Sequence, residues 1–190
     1  LNNAFLGAGY FKLDNADARA LDYSRFGNYQ LIVLNELQNI SSGLANELEQ
    51  FAQNGGNVLV FPGQAADLNS YNAFLQNFDA GNLGAFEPSP RQTSQINTDE
   101  FVFNDVFLNR SANLRLPATQ GNYKIAASRG EYILTYRDGS AMLVKYPKGE
   151  GALYFCAAPL SEQVNDMVRN AEIFVPMLFK MAIAGTKGRQ

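Results

Sequence analysis

The chain has 190 residues, of which 46% are hydrophobic and 17% are charged, a composition typical of one globular domain with a sizeable core. Its net charge of −3 offers no basic surface to nucleic acid or to an anionic membrane, so we expect no nucleic-acid partner. Histidine is absent and cysteine occurs once, which disfavours Ser–His and Cys–His catalysis, most zinc sites and intrachain disulfides. The composition leaves carboxylate-based catalysis and magnesium or calcium sites open; our prediction is nevertheless that the protein has neither a metal site nor a cofactor.

The first thirty residues are predicted to form short elements. Residues 1–6 and 15–21 have helical character, and the apolar–polar alternation over residues 10–13 indicates a short strand. Because the chain starts at Leu1 rather than at methionine, we expect it to be a piece of a longer protein.

Residues 29–63 form the clearest predicted unit, around which the rest of the chain is expected to pack. Residues 31–34 are a continuous apolar run, which indicates a strand covered on both faces. A helix follows, begun by Ser41 or Ser42 and ended by the pair Gly55-Gly56, before a second apolar run over residues 58–61. A strand–helix–strand unit of this length makes the two strands parallel and indicates an α/β fold.

The second half of the chain changes from helical to strand periodicity. Residues 65–78 are a predicted helix, whereas residues 81–99 are rich in Gly, Pro, Ser and Asn and are predicted to form an irregular loop. Three strand-like runs joined by turn sequences then indicate an antiparallel meander. They are residues 132–136, 141–146 and 152–157. A long helix over residues 164–184 should be kinked or divided at Pro176.

Polar residues follow the two predicted parallel strands, at the edge of an α/β sheet where ligands usually bind. The candidate ligand-binding residues are Asn35, Glu36, Gly63, Gln64 and Asp67. Gln38 lies beside the first group, and Ser161 joins them if the last strand belongs to the same sheet. Gly63 and Gln64 lie at a strand-to-helix turn, where a helix N-terminus can hold an anion. The alternative, which the residues alone favour, is that Gly63 only makes a tight turn and Asp67 only caps the next helix.

Three other features carry weaker signals. Cys156 lies in an apolar strand and is predicted to be a buried, inert thiol. Asp99, Glu100 and Asp105 form a candidate hard-cation cluster, but their spacing matches no calcium-loop motif and a solvated loop edge fits it better. The apolar residues within 101–108 are predicted to pack in the core, with an exposed partner-binding patch as the alternative.

The stretch YQLIVLNELQNISSGLANELEQFAQNGGNVLVFPG, residues 29–63, resembles the class I glutamine amidotransferase-like superfamily. The likeness is greatest to the divergent extracytoplasmic domain at the C-terminal end of bacterial aerotolerance (Bat-type) membrane proteins. The segments GEGALYFCAAPLSEQVND and FVPMLFKMA resemble the closing strand and last helix of that domain. The resemblance implies one domain over residues 1–190 with a three-layer flavodoxin-like α/β fold, whose parallel central sheet carries the antiparallel meander of the second half.

The nucleophile turn of the active superfamily members is changed in this chain. Active members carry a cysteine on a Gly-x-Cys-x-Gly elbow, with a histidine and a glutamate downstream. The matching turn here is FPGQA, residues 61–65, which has no cysteine, and the chain has no histidine. The resemblance therefore implies the fold, whereas the residues argue against amidotransferase activity.

We accordingly expect a non-catalytic binding or interaction module of a bacterial cell-envelope protein. The resemblance implies a periplasmic location, protein partners in the envelope, and membrane segments outside residues 1–190. The alternative is a carbohydrate-related enzyme or sugar-binding domain, which requires acidic groups such as Glu36 and Asp67 to converge in one crevice. A purely structural domain that positions its neighbours is a third hypothesis, and the sequence leaves the oligomeric state open.

Overall fold

A seven-stranded mixed sheet forms the centre of the protein. The computed structural model describes residues 12–105, 114–126 and 129–185. The strands in these ranges are β1 (Leu31–Asn35), β2 (Asn57–Phe61), β3 (Leu83–Glu87), β4 (Arg91–Ile96), β5 (Ala118–Thr119), β6 (Asn122–Ile125), β7 (Glu131–Tyr136), β8 (Ala141–Lys148) and β9 (Gly151–Cys156). The α-helices are α1 (Ser42–Gln53), α2 (Leu68–Asn77) and α3 (Ala171–Ala184). Short 3₁₀ helices lie at Ala18–Ala20, Tyr23–Asn28 and Asp166–Arg169.

The strand order of the sheet is β1-β2-β9-β8-β7-β4-β5. Neighbouring strands β1, β2 and β9 are parallel, whereas β9, β8 and β7 form the predicted antiparallel meander. β4 continues the antiparallel pairing, and β3 and β6 form a separate antiparallel pair. The parallel part predicted for the centre of the sheet therefore lies at one end, and the sheet as a whole is mixed.

Helices pack on both faces of this sheet. Val58 and Val60 of β2 point into a core that also contains the apolar sides of α1 and α2. Leu59 and Phe61 point to the opposite face, into a second core shared with α3. All four side chains are fully buried, as expected for a strand with a continuous apolar sequence.

The predicted strand–helix–strand unit is confirmed, and local signals explain its boundaries. Ser41 begins α1 because its hydroxyl accepts a hydrogen bond from the backbone N–H of Leu44 at 3.2 Å. Gly55 follows the helix with a φ of +93°, a left-handed conformation that glycine adopts readily. The chain then enters β2, whose Asn57 lies opposite Leu31 of β1.

The prediction of an irregular loop over residues 81–99 is wrong. β3 and β4 both lie in this segment, on either side of a turn that contains Pro88 and Pro90. β4 reads RQTSQI, and Thr93 is its one buried side chain. Strand formation here depends on pairing with β7, a distant part of the chain, rather than on an apolar pattern within the segment.

The long helix predicted over residues 164–184 is two helices, and they divide at Asn170 rather than at Pro176. The first is the 3₁₀ helix, which Asn165 begins by accepting a hydrogen bond from the N–H of Met167 at 3.0 Å. α3 then continues through Pro176, because burial of Met177 and its neighbours outweighs one missing backbone hydrogen bond. In the ranges given above, no helix combines the length and the apolar character needed to cross a membrane.

The N-terminal predictions are tested only in part. The helix at residues 1–6 and the first half of the strand at residues 10–13 lie outside the described residues. The second half, residues 12 and 13, does not form a strand. The helix predicted at residues 15–21 is a single 3₁₀ turn, Ala18–Ala20, which is begun by the side chain of Asp17. The next 3₁₀ helix, Tyr23–Asn28, buries Phe26 against Phe51 of α1, with the ring centroids 6.4 Å apart.

Candidate functional site

The three parallel strands end at one edge of the sheet, and a cavity of about 370 Å³ lies there. We call this cavity the crevice. It is lined by Glu36, Gln38, Gly63, Gln64, Ala65 and Ser161. These residues follow β1, β2 and β9, so the sequence-based expectation that polar groups after different strands would meet at one edge is correct for them. Ser161 joins the group because β9 pairs directly with β2.

Glu36 connects the two sides of the crevice. Its backbone N–H donates to the carbonyl of Phe61 at 2.8 Å, and its φ is +56°, in the left-handed region. A side chain other than glycine costs roughly 1–2 kcal/mol in this conformation. The turn directs the Glu36 side chain towards the loop after β9, where its Oε1 accepts a hydrogen bond from the N–H of Ser161 at 3.3 Å.

Gly63 allows the loops after β1 and β2 to approach closely. A Cβ atom at this position would lie 3.2 Å from the carbonyl oxygen of Glu36. Such a contact is tighter than most real Cβ contacts, and the neighbour is backbone rather than a flexible side chain. The absence of a side chain at Gly63 therefore sets the width of the crevice at this point.

Two tyrosines hold the crevice loops from beneath, and sequence reasoning missed their role. The hydroxyl of buried Tyr71 donates to the carbonyl of Leu37 at 2.5 Å. The hydroxyl of Tyr123 donates to the carbonyl of Gly63 and accepts from the N–H of Ala66 at 3.2 Å. Burial raises the pKa of both Tyr71 and Tyr123, so both hydroxyls remain neutral and able to donate.

The remaining two sequence-based candidates lie elsewhere. Asp67 begins α2, because its Oδ1 accepts a hydrogen bond from the N–H of Ser70 at 2.8 Å. Its own N–H donates to the carbonyl of Gln38 at 2.7 Å, so the Asp67 backbone supports the crevice while its carboxylate occupies the helix N-terminus. Asn35 is the last residue of β1 and lines a different, larger cavity.

The crevice has the chemistry of a hydrogen-bonding site. It contains one carboxylate, two side-chain amides and one hydroxyl, from Glu36, Gln38, Gln64 and Ser161. The Ser161 hydroxyl donates to the side-chain Oε1 of Gln163 at 3.5 Å. The cysteine of the chain, Cys156, is buried in β9, and burial raises the pKa of its thiol to about 12.

Two of the three acidic residues within 99–105, Glu100 and Asp105, are engaged by lysines. Lys145 contacts both carboxylate oxygens of Glu100, at 3.0 and 3.1 Å. Burial opposes ionisation of Glu100, but hydrogen bonds from Glu131 and Lys145 hold its pKa below the ordinary value. The pKa of Glu131 is raised by its hydrogen bond with Glu100 and by burial.

A second, buried lysine holds the end of the same segment. Lys180 of α3 donates to the carbonyl of Phe101 at 3.0 Å and to Asn104 Oδ1 at 2.7 Å, and it pairs with Asp105. Phe101 is 44% exposed, whereas the adjacent residues 102 and 103 are buried as predicted; residues 106–108 lie outside the described part of the chain. Across the described ranges, no three acidic or cysteine side chains converge as a metal site would require.

Comparison with known proteins finds solved structures with a similar fold but no matching family or curated sequence. No protein-family model and no curated protein matches the sequence. A crystal structure described as a ThuA-like protein from Bacteroides uniformis superposes with a TM-score of 0.70 and 16% identity, covering 98% of this chain and 83% of that one. A cytoplasmic protein from Salmonella typhimurium superposes with a TM-score of 0.61 and 13% identity, covering 84% of this chain and 73% of that one.

Part of a larger enzyme has a similar fold. The β-galactosidase from Rahnella sp. R3 superposes with a TM-score of 0.58 and 17% identity over 82% of this chain and 23% of the enzyme. This chain therefore spans about a quarter of that β-galactosidase. At these identities the similarities concern the fold alone, which is a mixed α/β fold.

Proposed function

We propose that this protein is a non-catalytic binding module of a bacterial cell-envelope protein, and that the crevice is its ligand-binding site. The chemistry of the crevice carries the proposal. Glu36, Gln38, Gln64 and Ser161 supply hydrogen-bond donors and acceptors, which orient a polar ligand. Within the described residues the crevice holds no thiol or amine, and its one hydroxyl bonds the side-chain amide of Gln163, whereas the Glu36 carboxylate bonds the backbone N–H of Ser161.

The loss of the superfamily's nucleophile also supports a binding role. The turn after β2, residues 61–65, has Gly63 as its third residue, where the Gly-x-Cys-x-Gly elbow of the active superfamily members is expected to carry cysteine, and Cys156 lies buried within a strand. The next residue, Gln64, is exposed and offers an amide rather than a nucleophile. A ligand with hydroxyl or amide groups matches these donors and acceptors.

The experiment that tests the binding role measures turnover and binding on the same protein. The purified chain is incubated with glutamine and with p-nitrophenyl glycosides, and ¹H–¹⁵N NMR spectra are recorded with glutamine and with neutral monosaccharides. We expect no turnover above buffer, and ligand-dependent shifts of the Gln38 and Gln64 side-chain amides. Turnover that disappears in Glu36→Gln would overturn the proposal, because it would make the crevice catalytic.

The cell-envelope part of the proposal is tested separately. It rests on the resemblance of residues 29–63 to the Bat-type extracytoplasmic domain, and a flavodoxin-like layering of the sheet and helices belongs to the same proposal. Protease added to spheroplasts should digest the domain in the full-length protein expressed from its own gene. Digestion only after the cells are lysed would place the domain inside the cytoplasm and contradict a periplasmic location.

A sugar-binding role for the crevice is the second candidate. The observation that favours it is the Glu36 carboxylate, which accepts one hydrogen bond within the described residues and keeps lone pairs for sugar hydroxyls. Glycoside hydrolysis needs a second carboxylate, roughly 5–9.5 Å from the first, and the candidate for it, Asp67, caps α2 instead. Calorimetric titration with galactose and glucose tests this role, and Glu36→Gln should weaken binding if the carboxylate contacts the sugar.

A further inference from the structure

The three loops that meet at the crevice carry acidic residues and no basic residue. They follow β1, β2 and β9 and are residues 36–41, 62–67 and 157–165. Their charged side chains are Glu36, Asp67 and Glu162. Glu162 pairs with Arg169 at 3.5 Å, whereas within the described ranges neither Glu36 nor Asp67 pairs with a lysine or an arginine. The edge of the sheet that contains the crevice is therefore negatively charged.

The carboxylate of Asp67 occupies the place at which an anion would bind. The residues alone predict that the start of α2, beside Gly63 and Gln64, can hold an anion, because the N-terminal end of a helix carries roughly half a positive charge. In the structure, Asp67 Oδ1 accepts the hydrogen bond from the N–H of Ser70 at 2.8 Å, so the protein's own carboxylate offsets this partial charge. An anionic ligand is then repelled by Glu36 and Asp67.

Of the described residues that line the crevice, Glu36 is the one that is charged. The side chain is exposed, and its Oε1 accepts from the N–H of Ser161 at 3.3 Å, which is longer than the usual N–H···O distance of about 2.9–3.0 Å. The left-handed backbone at this position favours glycine or asparagine over glutamate. Neither the turn nor an ion pair within the described residues therefore accounts for a carboxylate here, and the carboxylate is open to a cation.

The turn after β2 offers hydrogen-bond donors to the same cavity. The N–H of Ala66 donates to the carbonyl of Gly63 at 3.2 Å, which makes Gln64 and Ala65 the central residues of the turn. Both residues are exposed and line the crevice, and neither makes a hydrogen bond within the described part of the chain. Their backbone N–H groups and the Gln64 side-chain amide are thus unused, and a hydroxyl oxygen can accept from such donors.

Given the binding role proposed for the crevice, on which this inference rests, we propose that the crevice binds a small polar amine whose ammonium group pairs with Glu36. An ammonium group has three donors and no acceptor, so it matches the carboxylate of Glu36 and the side-chain oxygens of Gln64 and Ser161. A cavity of about 370 Å³ is at the lower end of the range for ligand sites, roughly 300–1,000 Å³, so the amine is small. A hydroxyl on the same molecule uses the donors of the turn after β2.

Three probes of similar size and different charge test this inference. Near pH 7 ethanolamine is a cation, ethylene glycol is neutral and glycolate is an anion. Each is titrated into the whole chain, and ¹H–¹⁵N NMR follows the backbone amide of Ser161 and the side-chain amides of Gln38 and Gln64. We expect ethanolamine to bind at least about fivefold more tightly than ethylene glycol, and glycolate to bind most weakly. Raising sodium chloride from about 20 mM to about 500 mM should remove most of this preference, because salt screens the charges.

Glu36→Gln gives an independent test, because it removes the charge and keeps the size of the side chain. The preference for ethanolamine over ethylene glycol should fall to about twofold or less. Glu150→Gln is the matched control. It removes the same charge, but Glu150 is exposed and precedes β9, at the opposite end of that strand from the crevice, so the preference should remain. The three probes keep the test decisive if Glu36→Gln does not fold.

The other outcomes separate the amine specificity from the binding role itself. Tighter binding of ethylene glycol or glycolate at the same amides would overturn the proposed specificity and leave the crevice as a binding site. A preference for ethanolamine that survives Glu36→Gln would overturn the role of the carboxylate. The same shifts produced by calcium chloride at lower concentration would make the crevice a metal site instead. If none of the three probes shifts these amides, the amine specificity is wrong, and the titrations with glutamine and monosaccharides decide the binding role separately.

Discussion

Tyr123 joins the two halves of the loop after β2, and Tyr123→Phe tests whether this contact shapes the crevice. The substitution deletes the hydroxyl and keeps the ring, so no cavity forms. The hydroxyl donates to the carbonyl of Gly63 and accepts from the N–H of Ala66, and both contacts are partly buried. One hydrogen bond contributes about 0.5–1.5 kcal/mol, and an unsatisfied buried group costs about 1–3 kcal/mol. Since both backbone groups are partly exposed, we expect the free energy of unfolding to fall by about 2 kcal/mol.

Thermal and urea unfolding measure this change. A loss of about 2 kcal/mol lowers the Tm of a domain of this size by roughly 4–8 °C. Tyr132→Phe is the matched control: Tyr132 packs on the same core, and its hydroxyl makes no hydrogen bond within the described residues, so the change should be below about 0.5 kcal/mol. Exchange of the Ala66 amide should also accelerate in Tyr123→Phe. The reasoning is refuted if the two variants lose equal stability, or if Tyr123→Phe melts with the parent protein.

Three further predictions test other parts of the structure. Gly63→Ala places a Cβ 3.2 Å from the backbone of the loop after β1, so its free energy of unfolding in urea should fall by about 1–3 kcal/mol. Gly43→Ala, within α1, is the control, and its free energy of unfolding should rise by about 0.5–1 kcal/mol. A change of the same sign in both variants would contradict this prediction. The hydrogen bond with Glu100 raises the pKa of Glu131. The stability that this hydrogen bond contributes is therefore present below the ordinary glutamate pKa and is lost as the pH rises through the raised pKa. Glu131→Gln should therefore match the parent near pH 4 and be more stable by about 0.5 kcal/mol near pH 7, and a pH-independent difference in Tm would oppose this. Burial raises the pKa of Cys156 to about 12, so a thiol reagent should label the unfolded protein and spare the folded one; rapid labelling of folded protein would show that the thiol is accessible.

The sequence predicted the strand–helix–strand unit because its signals are local. The hydroxyl of Ser41 bonds a backbone group three residues away, and Gly55 ends α1 through its own backbone conformation. The apolar runs on either side are long enough to indicate buried strands. Ligands usually bind beyond the carboxyl ends of parallel strands, and on this basis Glu36, Gly63 and Gln64 were predicted to lie near one another. All three line the crevice.

The same reasoning failed where structure depends on distant partners. β4 is polar, and its Thr93 lies opposite Tyr136 of β7, more than forty residues away. Pro176 lies inside α3, where burial against the core overrides a strong local signal. Asp67, a candidate ligand residue, has its carboxylate at the start of α2, an outcome that the spacing Asp-x-x-Ser equally allowed.

The sequence by itself determined which segments are apolar on both faces, where the clearest helix begins and ends, and which reactive groups are absent. Each of these depends on residue type and on neighbours within a few positions. Tertiary structure alone decided which surfaces the chain presents to a ligand. Tyr71 and Tyr123 have the sequence pattern of core residues, yet their hydroxyls bond backbone carbonyls 34 and 60 residues away and hold the crevice open.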